Sequence, residues 1–392
     1  MSRLFRNTVA SVRTPPLVVL YIAEEQAGWC TQFSEEGYDV YQIVAGHPVH
    51  EATQELSGVL GGGQSWALIT YGIEQDALAS IYDQLPRQSL RLVVHFCPTL
   101  NKPDLLFLKN ADATYVPTLL HLSSTQGDIE LAAIEATSAI DPSSTGSLLQ
   151  PIQAFTYPKV TSSPPFPFNM KPPALIVAEE STSVDIYTRS AVGLSYSRTL
   201  DLLRRQLGPR FDLEKLWEKH TYYEFVERDA LKTMATMVPV PYVNHVPTLT
   251  GGVGYDNLAR FYKYHFTKEN VTPPDTELIT VSRTVGADRI IDEMIYKCTH
   301  TTEIDYFLPG VKPTGKPLEL TVVGIVAFRG DKLTFEHIYW DQASALVQLG
   351  LIEPNGLPVA GVEVARKVVD PFGTPSNTLM EKWKESEGLP IA

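Results

Sequence analysis

The sequence predicts two consecutive domains, an α/β domain followed by an α+β domain. The chain has 392 residues, which is more than one ordinary hydrophobic core organises. Its first half alternates short apolar runs with helical stretches, whereas its second half places helices before three long β-rich runs. Gly208 and Pro209 form a helix stop signal, and we place the domain boundary there.

The first half contains the strand signals of a parallel sheet. Its candidate strands LVVLYIA, YDVYQIVA, WALITYG, LRLVVHF and ATYVPTLLHL begin at Leu17, Tyr38, Trp66, Leu90 and Ala113. Because these runs are apolar throughout and alternate with helices, we expect a sheet covered on both faces. The Pro- and Ser-rich stretch 151–173 predicts a surface loop or a lid. The amphipathic stretch 183–208 predicts one long helix, which completes an α/β domain over residues 15–208.

The second half has a different order of elements. Residues 211–237 and 254–266 are predicted to be helical, with Asp212 as the N-cap of the first helix. Three β-rich runs follow, and the last contains a hairpin turn at residues 329–332. Helices followed by an antiparallel sheet are typical of an α+β domain, which we place at residues 211–365, with 366–392 as a C-terminal extension.

Composition excludes several classes of function. Hydrophobic residues make up 44% and charged residues 20%, as in soluble globular proteins. The net charge is −13 and no long run of Lys or Arg is present, so a nucleic-acid partner is not expected. No segment reaches ~18 consecutive apolar residues, so no membrane partner is expected. Cys30, Cys97 and Cys298 lack the short spacing of a metal or redox motif, and buried thiols in a cytoplasmic protein are the simplest interpretation.

The order of elements in residues 15–208 resembles the dienelactone hydrolase branch of the α/β-hydrolases. That family places a Cys or Ser on a sharp strand-to-helix turn flanked by glycines. The matching turn here, residues 70–74, has no Cys and no G-x-[SC]-x-G frame. Asp128 is the one carboxylate in reach of the acid position, and no His occurs near Phe155, where the base would stand. The resemblance therefore implies a domain without hydrolase chemistry, because a nucleophile needs a base and an orienting group.

Cys97 offers an alternative nucleophile in this half. His95 lies two residues before it, and residues two apart on a strand share a face. A small thiol at the end of a buried strand is more often part of the core than a catalyst. We therefore expect Cys97 to be structural.

Five short motifs follow one another in the second half: CTHT at 298–301, PTGK at 313–316, RGDK at 329–332, EHIYWD at 336–341 and QLG at 348–350. In this order they resemble the SnoaL-like polyketide cyclases and the wider group of cone-shaped α+β barrels that includes ketosteroid isomerase and limonene epoxide hydrolase. The resemblance implies acid–base chemistry without a cofactor on an enolisable polyketide. It assigns the acid–base role to Asp341, with His300 or His337 assisting, and it implies a homodimer.

The alternation of residues in the last strand predicts which side chains line a cavity. Phe335, His337, Tyr339 and Asp341 share one face, and Glu336, Ile338 and Trp340 share the other. A face with His, Tyr and Asp suits a cavity in which a proton is moved, although a solvent-facing edge is the alternative. The apolar run LELTVVGIVAF beside it favours the cavity.

Two further groups of residues are candidates. Asp292 and His300 lie on a mostly apolar strand face, where Asp292 serves either in acid–base work or in an ion pair with Arg283 or Arg260. Tyr242, Asn244 and His245 stand between two prolines on a predicted loop, which the resemblance places at the mouth of the pocket. A metal site built from His245, His300 and His337 lacks short ligand spacing, so we expect neither metal nor cofactor.

Three hypotheses follow. The first is cofactor-free cyclisation or dehydration of a polyketide-type small molecule. The second is an epoxide- or lactone-opening hydrolase in the same barrel, in which Asp341 or Asp292 activates water with the aid of Asn244, Tyr242 and Arg283. The third is a non-catalytic binding protein. The predicted catalytic residues are Asp341, His337, His300 and His245, and the predicted substrate-binding residues are Tyr339, Asn244, Tyr242, Asp292, Arg283 and Trp340.

Overall fold

The computed structural model describes residues 3–60, 64–138, 140, 150–160 and 185–391. Its backbone contacts divide into two compact units, unit 1 up to Phe211 and unit 2 from Asp212 onward. In these described ranges, each unit contains one sheet. Among the described helices, none has the length and apolarity needed to cross a membrane.

Unit 1 is built on a seven-stranded sheet with the order β1-β3-β2-β4-β5-β6-β7. Strands β2 to β7 pair in parallel, which confirms the parallel sheet predicted for this half. Strand β1 adds to the β3 edge in antiparallel orientation. The strands are β1 Arg3–Phe5, β2 Leu17–Ile22, β3 Asp39–Val44, β4 Trp66–Tyr71, β5 Leu90–Phe96, β6 Thr118–Ser123 and β7 Ile152–Tyr157.

The central strands of unit 1 are buried along their whole length. Every residue of β2, β3, β4 and β6 is buried, as expected for a parallel sheet covered on both faces. The five helices of the described part of this unit are α1 Gly28–Ser34, α2 Val49–Val59, α3 Gln75–Gln84, α4 Gly127–Ser138 and α5 Ile186–Gln206. The long helix predicted at 183–208 is confirmed as α5, which begins at the N-cap Asp185 and packs against β5 and β6.

Strand β7 corrects the prediction of a loop or lid at 151–173. Among the described residues, Ile152–Tyr157 form the last strand of the sheet and pair with β6 alone. The run IQAFTY contains β-forming residues, and the prolines at 151 and 158 bound it without interrupting its ladder. Residues 161–173 of the predicted lid lie outside the described residues.

A buried ion pair fastens α5 within unit 1. Arg204 Nη2 lies 2.6 Å from Glu36 Oε2, and the two side chains are 8% and 2% exposed. Arg204 Nη1 also donates to the backbone carbonyl of Glu36 at 2.6 Å, and the guanidinium lies over the ring of Tyr38. Because a buried charge without its partner is costly, this pair fixes the position of the helix.

Unit 2 is built on a six-stranded mixed sheet with the order β10-β11-β12-β13-β8-β9. Neighbouring strands are antiparallel except for the parallel pair β13 and β8. The predicted hairpin turn is confirmed between β12 and β13, where Gly330 has a φ of 55°. The strands are β8 Met237–His245, β9 Thr250–Val253, β10 Glu277–Val285, β11 Arg289–Thr299, β12 Pro317–Arg329 and β13 Lys332–Trp340.

The helices of unit 2 pack against this sheet and enclose its core. Helix α6 contacts β11 and β13, and helices α7 and α8 contact β8. Asp212 caps α6 by accepting from the backbone N–H of Lys215, as the sequence predicts. The helices of the described part of this unit are α6 Leu213–Thr221, α7 Ala230–Ala235, α8 Tyr255–Phe261, α9 Gln342–Gln348 and α10 Glu363–Val369.

Two helices of unit 2 end in π-helical turns. Helix α6 continues into Tyr222–Val226, and helix α8 continues into Tyr262–Phe266. The single helix predicted at 211–237 is therefore interrupted, and Arg228, with a φ of 54°, separates the π turn from α7. Such widened turns are rare and are often found at functional sites.

The predicted loop at 241–247 is corrected in part, because Met237–His245 form strand β8. The pairing of β8 with β13 is interrupted between Met237 and Tyr242, and the two prolines of the strand lie in that interruption. Proline has no N–H to donate, so an irregular stretch of ladder tolerates it. From Tyr242 onward the register is regular, which fixes the faces of the residues that follow.

Candidate functional site

A histidine held between two carboxylates lies in the interior of unit 2. His220 Nε2 is 3.0 Å from Glu224 Oε1 and 3.1 Å from Glu336 Oε1. His220 is fully buried, and both glutamates are 4% exposed. Charged groups are rarely buried unless they are paired, so this cluster is a concentrated electrostatic feature of the core.

Three elements bring the cluster together. His220 and Glu224 are four residues apart, so α6 and the π turn that extends it present them on one side. Glu336 comes from the middle of β13, against which α6 packs. The hydroxyl of Tyr262, the first residue of the second π turn, lies 3.3 Å from Glu336 Oε1 and 3.4 Å from His220 Nε2. Both π turns thus contribute a side chain to the cluster.

Two contacts away from the carboxylates fix the orientation of the His220 ring. Thr236 Oγ1 donates to the backbone carbonyl of Thr233 at 2.6 Å and therefore accepts from His220 Nδ1, which lies 2.6 Å away. The ring of Trp217 stacks on the imidazole with a centroid distance of 5.6 Å. These contacts leave Nε2 facing the two carboxylates, as a second layer of hydrogen bonds does at many functional histidines.

The cluster shifts the pKa values of its members. Burial by itself lowers the pKa of His220, but the carboxylates of Glu224 and Glu336 outweigh it and raise that pKa to about 10. Burial raises the pKa of Glu224, while the imidazole opposes this change. Burial and the two carboxylates together raise the pKa of Tyr262 well above its ordinary value, so its hydroxyl stays protonated.

A small cavity of about 50 Å³ adjoins the cluster. Glu224, Glu336 and Tyr262 contribute polar groups to a wall that is otherwise mostly aromatic and aliphatic. The remaining lining residues are Trp217, Phe225, Val243, His245, Phe266, Leu278, Met294, Tyr296, Tyr306, Phe307, Val322 and Ile338. The volume holds about one or two water molecules, so a larger ligand requires lining side chains to move.

His245 lies in the wall of this cavity. It is 4% exposed, and its Nδ1 has no hydrogen-bond partner in the part of the chain that the structure describes. Burial lowers the pKa of His245 to about 4, against a smaller opposite effect of Glu336. The ring is therefore neutral at pH 7. Of the four predicted catalytic residues, His245 is the one that the structure places at the cavity.

The assignment of strand faces requires a correction. The predicted grouping along β13 is right, but the cavity borders the face with Glu336 and Ile338, not the face with His337 and Tyr339. The register with β8 pairs Glu336 with Val243 and Ile338 with His245, and all four of these side chains line the cavity. Polar residues occur on both faces of β13, so alternation alone does not reveal which face is inside.

The outer face of the same two strands gathers four predicted residues. His337 pairs in register with Asn244, and its ring meets Tyr242 at a centroid distance of 5.4 Å. Tyr339 is 40% exposed and lies 6.4 Å from the His337 ring. Burial lowers the pKa of His337. The structure thus brings these residues together, but on the side of the sheet away from the cavity.

Asp341 follows the end of β13 and caps helix α9. Its carboxylate accepts from the backbone N–H groups of Ala343 at 2.9 Å and Ser344 at 3.3 Å. Its neighbour Trp340 packs on Phe307 at a centroid distance of 4.5 Å and donates to Gln342 Oε1. Asp341 is exposed and not among the residues that line the cavity. The geometry gives it an N-cap role.

Asp292 lies on the buried face of β11, and His300 directly follows that strand. Both are buried, as the sequence predicts. Of the two interpretations left open for Asp292, the structure shows the ion pair: Arg283 Nε and Nη2 contact its two oxygens at 2.7 and 2.8 Å. Trp217 Nε1 also donates to Asp292 at 2.9 Å, which links this pair to the ring stacked on His220. His300 is buried beside Thr314, outside the cavity wall, and burial lowers its pKa.

Unit 1 places His95 against Thr70, near the turn where the family resemblance puts a nucleophile. Thr70 Oγ1 and His95 Nδ1 are 2.7 Å apart, and both residues are fully buried. Burial lowers the pKa of His95 to about 3. Cys97 packs in an apolar cluster with Tyr157, Val160 and Ala191. The resemblance of this unit to dienelactone hydrolases stays a prediction.

His220, Glu224 and Tyr262 were not among the residues predicted from the sequence. One signal was available, namely a His and a Glu four residues apart on a predicted helix rich in aromatic residues. That spacing is common on solvent-exposed helices. Only the packing of α6 against β13 distinguishes this pair, because it buries both side chains beside Glu336.

Comparison with known proteins adds a partial likeness in structure. No protein-family model and no curated protein matches the chain. TsrD from Streptomyces laurentii is 15% identical, over 36% of this chain and 96% of that chain, with a TM-score of 0.28. IdmH from Streptomyces antibioticus, a proposed polyketide cyclase, is 18% identical over 36% and 99%, with a TM-score of 0.29. A proposed polyketide cyclase from Acidithiobacillus ferrooxidans is 17% identical over 37% and 98%, also at 0.29.

These proteins, together with a SnoaL-like protein from Jannaschia, are similar to little more than a third of the chain. At such TM-scores the likeness supports no statement about chemistry. What unit 2 can do follows from its own residues, which form a buried imidazole–carboxylate cluster beside an apolar cavity.

Proposed function

We propose that unit 2 is an acid–base enzyme, working without a cofactor, that moves a proton on a mostly apolar small molecule bearing oxygen. The observation that carries this proposal is the contact of His220 with Glu336 beside a cavity with aromatic walls. A buried carboxylate paired with an imidazole can exchange a proton with a ligand while the pair redistributes its own charge.

The residues of the cluster have distinct roles in this proposal. Glu336 lines the cavity and exchanges the proton with the ligand. His220 holds Glu336 in place and shares its charge with Glu224, because both carboxylates contact the same ring nitrogen, Nε2. Tyr262, held protonated by burial, donates a hydrogen bond to negative charge that develops on a substrate oxygen. His245 remains neutral and offers Nδ1 as an acceptor.

The cavity wall favours a compact and largely apolar substrate. Its polar groups are few and its rings are many, which suits an enolisable ketone, ester or lactone. A polyketide-type molecule of ordinary size exceeds about 50 Å³, so its entry requires side chains such as Leu278 and Phe307 to move. Cyclisation or dehydration of such a molecule is the finer form of the proposal, since both reactions begin with proton transfer beside a carbonyl.

The hydrolase alternative receives less support from the residues named for it. Both oxygens of Asp292 are engaged by Arg283, and one also accepts from Trp217. A carboxylate with its lone pairs occupied in this way is a poor base for activating water. Asn244 and Tyr242 of the same set lie on the outer face of β8, and Asp341, its alternative base, caps helix α9.

A substrate panel tests the proposal. The purified, chelator-treated chain is incubated with β-keto esters, poly-β-ketones, unsaturated lactones and epoxides, and the products are followed by mass. We expect a product of unchanged mass or one lighter by water, and we expect Tyr262→Phe to slow its formation by about 10²-fold without loss of fold. A product that gains solvent oxygen would establish the hydrolase instead. An absence of turnover over the whole panel would contradict the proposal and favour a binding protein.

A further inference from the structure

We propose that His220, Glu224 and Glu336 also form a binding site for one divalent transition-metal ion. The imidazole Nε2 and one oxygen of each carboxylate all lie within 4.8 Å of one another. One imidazole and two carboxylates are ligands that zinc and its neighbours in the first transition series accept in proteins. The three side chains come from a helix and a strand that pack together, so the site is preformed.

The histidine is already oriented as a metal ligand. Thr236 accepts from Nδ1, so Nε2 faces both glutamates, and its lone pair becomes a ligand once an ion displaces the Nε2 proton. A hydrogen bond on the far nitrogen is the usual second layer of a metal-bound histidine, because it fixes the tautomer and the ring. The stacked Trp217 restricts the ring further.

Charge balance favours a doubly charged occupant. An ion that displaces the Nε2 proton of His220 meets two carboxylates and a neutral imidazole, which together carry a charge of minus two in a site with almost no solvent exposure. A divalent cation neutralises this charge, whereas an uncompensated buried charge is costly. Calcium is less suited, because it needs six to eight oxygen ligands, and magnesium retains several waters that a cavity of about 50 Å³ does not hold.

A second observation at the same cavity points to an occupant. His245 lines it together with Glu224 and Glu336, is almost fully buried, and has no hydrogen-bond partner for Nδ1 among the described residues. A buried nitrogen without a hydrogen-bond partner indicates a missing polar contact. A water molecule bound to the ion would provide that contact from within the cavity.

The ion and the proposed reaction use the same atoms. Coordination occupies His220 Nε2 and the carboxylate oxygens, which the proton transfer needs free. The two are therefore alternative states of one site, and the metal inhibits the reaction. The inhibition rests on the proposed function, whereas the binding of the ion does not.

The test is a titration of the untagged, chelator-treated full chain with Zn²⁺, followed by calorimetry and by metal analysis after gel filtration. We expect one tightly bound ion per chain, with no competition from millimolar Mg²⁺ or Ca²⁺. Glu336→Gln and Glu224→Gln should abolish this binding, and Thr236→Val should weaken it by about 10- to 100-fold. His265→Gln is the matched control, since it removes an exposed histidine–carboxylate pair with Asp305 and should leave the binding unchanged.

Each outcome separates the two proposals. Absence of Zn²⁺ binding by the wild-type chain, or equal binding by the Glu336→Gln and Glu224→Gln variants, overturns the metal site. If either variant fails to fold, as judged by circular dichroism and melting temperature, the other variant and Thr236→Val decide the question. Zn²⁺ binding that leaves turnover unchanged overturns the inhibition. Zn²⁺ binding by a chain without any turnover supports the metal site while the proposed acid–base function fails.

Discussion

His220 Nε2 lies 3.1 Å from Glu336 Oε1, and this contact joins helix α6 to strand β13 inside unit 2. Because both partners are buried, removal of either one leaves an unpaired polar group in the core. A variant at this contact therefore affects folding as well as chemistry. Isosteric changes such as Glu336→Gln are the informative ones, because they keep the volume and one acceptor oxygen.

The buried pair of Glu36 and Arg204 gives a prediction for the stability of unit 1. We expect Glu36→Gln to lower the free energy of unfolding by about 3–5 kcal/mol, because it leaves the guanidinium of Arg204 buried without a counter-charge. Urea unfolding of the wild type and the variant at pH 7 measures the difference.

Arg205 and Asp201 form the matched control on the same helix. Their side chains are 30% and 50% exposed, and the pair spans one helical turn. Asp201→Asn should change the free energy of unfolding by less than about 0.5 kcal/mol. Equal losses in Glu36→Gln and Asp201→Asn would show that burial of the first pair has no special effect.

The buried neutral histidine of unit 1 predicts an acid-sensitive fold. The pKa of His95 is lowered to about 3 by burial, whereas an unfolded histidine titrates near 6.5. The unfolded chain therefore takes up a proton first. The contribution of His95 is complete above pH 6.5 and is lost as the pH falls toward 3, at about 1.4 kcal/mol per pH unit.

A comparison with His95→Gln isolates this effect. The difference in free energy of unfolding between the wild type and this variant should shrink by about 3 kcal/mol from pH 6.5 to pH 4. Denaturant titrations at four or five pH values provide the measurement. A difference that does not depend on pH would mean that His95 is charged in the fold or exposed to water.

The position of Asp341 gives a prediction that separates capping from catalysis. Asp341→Ala should lower the free energy of unfolding by about 1 kcal/mol, because two backbone N–H groups of α9 lose their acceptor. Asp341→Asn keeps an oxygen at the N-cap and should be nearly neutral. Both variants should retain turnover. Loss of turnover in Asp341→Asn would instead support the acid–base role that the family resemblance implies for Asp341.

The strands of unit 1 could be predicted from the sequence because each one is a continuous apolar run. In a parallel sheet buried on both faces, such a run is sufficient evidence for the element and its class. Strand β7 was missed, because the prolines on either side of Ile152–Tyr157 suggested a loop. An edge strand pairs on one side only and tolerates such neighbours.

The candidate site could be predicted only in part, for a physical reason. Alternation along β13 separates Glu336 from His337 correctly, but the choice of the inner face depends on β8 and α6, which are distant in sequence. His220 and Glu224 have no local signal that tells a buried pair from an exposed one. Short sequence motifs do not predict the packing of a helix on a distant strand, and they do not predict the two π turns.

The most direct test compares Glu336 with His337, which are neighbours in sequence on opposite faces of β13. The exchange of α-hydrogens of cyclohexanone in D₂O, followed by NMR with the chelator-treated chain, reports proton transfer without requiring the natural substrate. We expect acceleration over buffer in the wild type, a loss of at least about 10²-fold in Glu336→Gln, and near wild-type exchange in His337→Gln. Loss of exchange in His337→Gln with full exchange in Glu336→Gln would contradict the account and place the chemistry on the outer face.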